Sequence, residues 1–180
     1  MQRTSKHSNH SQHLRRVLLS WGGLIVAGLI CSSQASLAQT KSEPVLTLSG
    51  KLGDIDQKGQ FTFDMAALQA LPQKTFTTAT PWDVRPVKFT GPLLRDVLSA
   101  AQAKGQQLTA IAVNDYKIRV PVEDATKFDV IIAIKMNDKD IPARTKGPLF
   151  LIYPFSSRSE LDTSVYHARS IWQLKTLQVQ

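Results

Sequence analysis

From residue 45 onward, hydrophobic and polar residues alternate, and this alternation is typical of half-buried β-strands. Residues 45–49 read Val-Leu-Thr-Leu-Ser, and residues 61–63 read Phe-Thr-Phe after a loop rich in Gly, Asp and Lys. This alternation predicts two paired strands. A short helix is predicted over residues 65–71, because Asp64 can cap its first turn and Pro72 ends it.

The clearest helical pattern runs from Thr90 to Ala101. Its apolar residues recur at three- and four-residue spacing and predict one buried face: Leu94, Val97, Leu98 and Ala101. Pro92 suits the first turn of such a helix, and Gly105 is a residue type that ends one. We therefore expect one helix over this segment.

The remaining pattern is rich in strands. Apolar, β-branched and aromatic runs predict further strands over residues 75–80, 108–113, 116–120, 130–134, 149–153 and 171–179. Asn114-Asp115 and Asn137-Asp138 are typical of tight turns, and residues 121–127 suit one helical turn. Because residues 130–134 are apolar without interruption, we expect that strand to be buried on both faces. The whole pattern predicts an α+β domain with a mixed sheet and few helices.

The first 38 residues have the features of a signal peptide. Basic residues without acidic ones precede an apolar run from Val17 to Ile30, and Ser36-Leu37-Ala38 is a small-x-small cleavage site. We expect export to the periplasm, cleavage after Ala38, a linker over residues 39–44 and one domain over residues 45–180. The apolar run is short for a membrane span, so membrane insertion after cleavage is not expected. A retained anchor is the alternative.

Removal of this leader changes the charge and the chemistry of the chain. The leader holds four of the 22 basic residues and none of the 14 acidic ones, which leaves a net charge of +4. Because that charge is spread without a Lys/Arg run, nucleic acid is not an expected partner. The leader also contains the single cysteine, Cys31, and three of the four histidines. His167 remains without a partner at ligand spacing, so no metal site is predicted.

Five segments resemble, in order, the oxidoreductase molybdopterin-binding domain of the sulfite oxidase superfamily. They read TGPLLRDVL at 90–98, NDYKIRVP at 114–121, MND at 136–138, KGPL at 146–149 and RSIWQL at 169–174. Their order and spacing carry the resemblance, which covers nearly the whole region after residue 45. It implies a compact α+β fold, and in active members a pterin cofactor whose dithiolene holds molybdenum.

The chain departs from the pattern that this resemblance implies for an active enzyme. Active members supply a cysteine thiolate to the metal, but residues 75–82 contain no cysteine. A hydroxyl is a poor substitute for a soft thiolate at a transition metal. The resemblance also implies a histidine, an arginine and a lysine where this chain has Lys146, Phe150 and Trp172. Molybdopterin remains a cofactor to be tested, and our expectation is that none is bound.

Two positions agree with the resemblance, since Tyr116 falls on the family's active-site tyrosine and Ser170 on a serine that contacts the cofactor. Trp82, Arg85 and Lys88 lie where the cysteine loop would be, so an altered pocket is an alternative to an ordinary loop. Each of these residues also has a structural interpretation, with Tyr116 packed on the sheet and Trp172 in the core. The predicted ligand site comprises Tyr116, Arg119, Lys146, Arg169, Ser170 and Trp172.

The sequence therefore favours a non-catalytic accessory module that binds a small anion or a partner protein. A membrane-bound sensor or signalling protein is the partner class that we expect, and no catalytic residue is predicted. One alternative is a molybdopterin-dependent oxidoreductase that holds its cofactor without a cysteine ligand, with Tyr116 near the metal. Another is a scaffold that binds nothing.

Overall fold

The structure is a computed structural model that describes residues 42–53, 55, 56 and 58–180. The predicted signal peptide and the first residues of the predicted linker lie outside the described residues. Within the described part, no helix is long and apolar enough to cross a membrane.

The described residues form an α+β domain in which strands predominate, as the sequence pattern predicts. The strands are β1 Leu46–Gly50, β2 Gln60–Phe63, β3 Gln73–Thr78, β4 Val87–Pro92, β5 Gln107–Ala112, β6 Lys117–Pro121, β7 Ile131–Ala133, β8 Lys135–Met136, β9 Lys139–Asp140, β10 Phe150–Ile152, β11 Ile171–Trp172 and β12 Leu174–Val179. The helices are α1 Met65–Ala70, α2 Leu94–Ala100, α3 Glu123–Lys127 and α4 Ser164–Arg169. Two 3₁₀ turns lie at Phe155–Ser157 and Ser159–Leu161.

The largest sheet has five strands in the order β2-β1-β12-β5-β6. The last strand in the chain, β12, is its central strand and pairs in parallel with β1 and antiparallel with β5. The sheet is therefore mixed. One face is fully buried and carries Leu46, Leu48, Leu108, Leu177 and Val179.

Two smaller sheets complete the domain, with the orders β3-β4-β8-β9 and β11-β10-β7. β7 is buried on both faces, which confirms the expectation drawn from the continuous apolar run over residues 130–134, and β10 is buried in the same way. Their side chains join those of β4 in one core, where the rings of Phe89 and Phe150 meet edge to face with 5.7 Å between centroids.

The predicted helix over residues 90–101 starts too early, whereas its C-terminal end agrees with the structure to within one residue. Its first three residues belong to β4, and the helix begins only at Leu94. A Cβ atom on Gly91 would lie 2.0 Å from the Ile132 carbonyl oxygen, so glycine lets β4 lie directly against β7. At the other end, Gln102 adopts the positive φ of 49° that follows the helix, and Gly105 is not the residue that ends it.

The predicted closing strand over residues 171–179 is two strands that belong to different sheets. Gln173 separates them with a φ of 51°. Its N–H donates to the Lys146 carbonyl, and its own carbonyl accepts from the Val113 N–H, both at 2.9 Å. Gln173 is therefore the point at which three distant segments of the chain are joined. Beyond it, Leu174, Leu177 and Val179 are buried.

Candidate functional site

A cleft of about 380 Å³ opens where the β5–β6 hairpin, α4, β11 and the loop after β3 meet. It is lined by Trp82, Ala112, Asn114, Tyr116, His167, Ala168, Ser170, Ile171 and Trp172. Three of the six residues of the predicted ligand site lie here, namely Tyr116, Ser170 and Trp172. Trp82 lines the cleft as well, and it lies in the loop where the family resemblance implies a cysteine.

Aromatic rings form one wall of the cleft. Trp172 lies 5.6 Å from Trp82 and 6.2 Å from Phe150, measured between ring centroids. Tilted packing of this kind fixes the orientation of each ring. Trp172 is 40% exposed, so the structural interpretation that placed it in the core is wrong. Tyr116 is 49% exposed and brings a second accessible ring to the cleft.

Tight backbone geometry positions Tyr116. Asp115 adopts a φ of 64° in the turn between β5 and β6, and the Tyr116 N–H donates to Asn114 Oδ1 at 3.2 Å. The Ala112 N–H donates to the Tyr116 carbonyl, which closes the hairpin. Because Gln173 is bonded to the same hairpin through Val113, the hairpin and β11 hold a fixed relation across the cleft.

α4 and the residue after it add polar groups to those that Asn114 and Tyr116 bring from the hairpin. His167 Nε2 lies 3.0 Å from Asp162 Oδ1, and its ring meets Trp82 at 6.1 Å. Ser170 Oγ donates to the Tyr166 carbonyl at 3.1 Å. Its hydroxyl keeps acceptor capacity for a ligand that donates a hydrogen bond.

Lys146 lies beside this cleft with its charge already matched. Its Nζ donates to Asp83 Oδ2 at 2.6 Å and lies 5.7 Å from the centre of the Trp172 ring. Partial burial raises the pKa of Asp83, but hydrogen bonds from Lys146 and Thr80 outweigh it and the pKa is lowered overall. Asp83 is therefore an anion that holds Lys146 and anchors the loop that carries Trp82.

Arg169 faces a different part of the core. Its Nη1 donates to Asp124 Oδ2 at 2.8 Å, and the same oxygen accepts from the Tyr153 hydroxyl at 2.7 Å. Burial, and then the neighbouring carboxylate, raise the pKa of Tyr153, so its hydroxyl stays protonated as a donor. Arg169 also lies over the ring of Tyr166 at 5.2 Å. This cation thus anchors the end of α4 and does not line the cleft.

The other basic residues considered from the sequence also lie outside the cleft. Arg119 is exposed, and because strand residues alternate between faces it points away from the face that buries Val120. Lys88 is paired with Asp138 at 2.8 Å, and Arg85 does not line the cleft. Ala168 and Ile171 line the cleft and adjoin residues selected from the sequence, but the sequence reasoning did not select them, and it also missed Ala112, Asn114 and His167.

The residues present do not fit a molybdenum pterin held in the family's manner. The described residues contain no cysteine, and no group of three or more His, Cys, Asp or Glu side chains is placed to hold a metal ion. The cofactor also carries a phosphate, but Lys146 and Arg169 already pair with carboxylates. The place of the family's arginine is taken by Phe150, which is fully buried in the aromatic core.

Comparison with known proteins agrees with the resemblance seen in the sequence. Residues 51–158 match the family model described as the oxidoreductase molybdopterin binding domain. No curated protein matches the chain.

Proposed function

This chain belongs to the oxidoreductase molybdopterin-binding domain family, and we propose that it is a non-catalytic binding module of that family. It acts in the periplasm, where its aromatic cleft holds a small molecule or a side chain of a partner protein. A membrane-bound sensor or signalling protein is the partner class proposed. Family membership alone does not set this function, because one fold serves many activities.

The observation that carries the proposal is the pair of accessible rings, Tyr116 and Trp172, in a cleft without a thiolate. Large aromatic side chains that line a concave, mostly apolar site are typical of ligand binding. Trp172 is held from behind by Trp82 and Phe150, so little conformational entropy is lost when a ligand stacks on it. A flat or apolar body suits these walls.

An anionic group on the ligand would compete with Asp83 for Lys146. The two side chains are only partly exposed, at 25% and 18%, and their hydrogen bond is short. A carboxylate or sulfonate on a flat ring gains affinity only if it displaces Asp83 or adds a third charge to the pair. We propose that the ring supplies most of the affinity, and that the anionic group adds to it through Lys146.

Matched small molecules test this proposal. We expect flat aromatic compounds, such as nicotinate and nicotinamide, to raise the melting temperature at millimolar concentration. Trp172→Ala and Tyr116→Ala should abolish that shift, whereas Val84→Ala should keep it, because Val84 is an exposed apolar residue that does not line the cleft. Failure of every flat compound to shift the melting temperature would favour a scaffold that binds nothing.

Elemental and pterin analysis tests the non-catalytic part. We expect protein purified from its own periplasm to carry far less than one molybdenum per chain and not to oxidise sulfite. Near-stoichiometric molybdenum would instead support an oxidoreductase that holds its cofactor without a cysteine, with Tyr116 facing it.

The proposed location is tested by the intact mass of the exported protein. Cleavage after Ala38 gives a mature chain that begins at Gln39, with no lipid. A mass that includes the leader, or a lipid on Cys31, would overturn this location.

A further inference from the structure

A second concave surface lies along β3 and is separate from the aromatic cleft. β3 is the edge strand of the sheet β3-β4-β8-β9. A groove of about 460 Å³ runs between this edge and the segments at residues 127–129 and 154–158. We call it the β3 groove, and it is lined by Lys74, Thr75, Phe76, Lys127, Phe128, Asp129, Pro154, Ser157 and Arg158.

The backbone of β3 is paired on one side only. All six of its residues are in register with β4, from Gln73 opposite Pro92 to Thr78 opposite Val87. On the free side, only the C-terminal end is covered: Ser156 Oγ accepts from the Ala79 N–H, and the Ser156 N–H donates to Thr78 Oγ1. Among the described residues, no backbone hydrogen bond reaches the free side before Thr78, so its outward N–H and C=O groups are in the arrangement that accepts another strand.

The β3 groove has an excess of positive charge. Three of its lining residues are cations, Lys74, Lys127 and Arg158, and one is a carboxylate, Asp129. That carboxylate is shared, since Lys74 Nζ lies 3.0 Å from it and Arg95 Nη1 lies 3.1 Å from it.

Lys127 is the cation of this groove that remains available. Among the residues that the structure describes, it forms no ion pair, and its Nζ lies 5.0 Å from the centre of the Phe128 ring. Arg158 is only loosely paired, at 3.6 Å from Glu160, and both of these side chains are at least half exposed. An acidic segment would meet little competition at either cation.

We propose that the β3 groove binds an extended, acidic peptide segment of a partner protein, which adds to β3 as a further strand. Backbone hydrogen bonds to the free edge hold the segment, and carboxylates at alternate positions face Lys127 and Arg158. Apolar side chains of the bound segment pack on Phe76 and Pro154. The free edge before Thr78 is five residues long, Gln73 to Thr77, which corresponds to about 17 Å of extended peptide.

The probe is a short synthetic peptide, Glu-Val-Glu-Val-Glu-Val, with both termini blocked. Its affinity is measured by fluorescence anisotropy of a labelled form, and its place of binding is measured by amide NMR of the protein. We expect binding to shift and protect amides of residues 73–77. Lys127→Glu should weaken it about three- to tenfold, as expected for loss and reversal of an exposed charge. Lys104→Glu makes the same charge change at an exposed residue outside the groove and should leave affinity within about twofold.

Two kinds of modified peptide decide between strand addition and simple charge attraction. Two N-methylated peptides are compared, one methylated at the residues whose N–H groups face β3 and one methylated at the intervening residues. Only the first should lose binding, because it lacks the backbone donors that pair with β3. The same sequence with Lys in place of Glu should bind at least tenfold more weakly. Each of three results would overturn the proposal: equal binding of the two N-methylated peptides, binding of the Lys peptide as tightly as the Glu peptide, or amide shifts confined to the aromatic cleft. So would competition by a single-stranded oligonucleotide that binds more tightly than the acidic peptide.

Discussion

Replacing Arg169 with alanine tests how the end of α4 is held. The substitution removes the guanidinium that donates to Asp124 at 2.8 Å and leaves Tyr153 as that carboxylate's remaining hydrogen-bond donor. Asp124 is 6% exposed in the native structure, so its carboxylate is poorly placed to be hydrated in place of the lost partner. We expect Arg169→Ala to destabilise the domain.

The magnitude follows from the burial of each partner. Breaking a buried ion pair by removing one member costs about 3–5 kcal/mol. Arg169 is 22% exposed in its side chain, and Tyr153 still donates to Asp124, so the loss falls at or just below the lower end of that range. We expect a decrease of about 2–3 kcal/mol in the free energy of unfolding, which corresponds to roughly 6–10 °C in melting temperature for a domain of this size.

Urea denaturation of the native protein and four variants measures the effect and its origin. Arg119→Ala removes the same side chain from an exposed position and should change stability by less than about 0.5 kcal/mol. In an Asp124→Asn background, Arg169→Ala should cost less than about 1 kcal/mol, because the buried charge is already gone. A cost below about 0.5 kcal/mol in the native background, or an equal cost in both backgrounds, would refute the assignment of Arg169 to this network.

Three further outcomes are expected. Trp172→Ala should cost about 2 kcal/mol in urea denaturation, less than a core tryptophan, because its ring is 40% exposed; a loss above about 4 kcal/mol would place it in the core. Partial burial raises the pKa of Asp83, but Lys146 lowers it overall, so its stabilising effect is present at neutral pH and lost as pH falls through the lowered pKa. The melting temperatures of native protein and Asp83→Asn should therefore converge as the pH falls below about 4, the ordinary pKa of an aspartate, and a constant difference would contradict this. Gly91→Ala should destabilise the domain by about 3 kcal/mol or more, because its Cβ would lie 2.0 Å from the Ile132 carbonyl oxygen; a stable variant would show that β4 can move away from β7.

The sequence predicted those elements in which one local pattern dominates. Alternation over residues 45–49 and the uninterrupted apolar run over residues 130–134 identified their strands correctly. Segment 90–92 was misassigned because Gly and Pro are read as helix boundaries, whereas here Gly91 serves the close approach of two strands. α4 was missed because it buries no residue and so has no apolar period.

The sequence predicted some of the residues that line the site, but it did not predict which charged side chains are already paired. The family resemblance identified Tyr116, Ser170 and Trp172, which line the cleft. It could not give the partners of the two cations, because the carboxylate bonded to Lys146 is 63 residues away in sequence and the one bonded to Arg169 is 45 residues away. Charge pairing over such separations depends on the tertiary fold. A positive residue in a motif therefore says little about whether its charge is available to a ligand.

The central place of β12 in the five-stranded sheet determines when the domain can fold. β1 and β5 are separated in the sheet by β12, whose residues are the last of the five strands to leave the ribosome. A nascent chain without residues 174–179 cannot close this sheet, because its two flanking halves have no strand between them. The core is thus completed by contacts between opposite ends of the domain, which form late and slowly relative to local ones. Folding of the five-stranded sheet must therefore wait until residues 174–179 have been synthesised and can insert between β1 and β5.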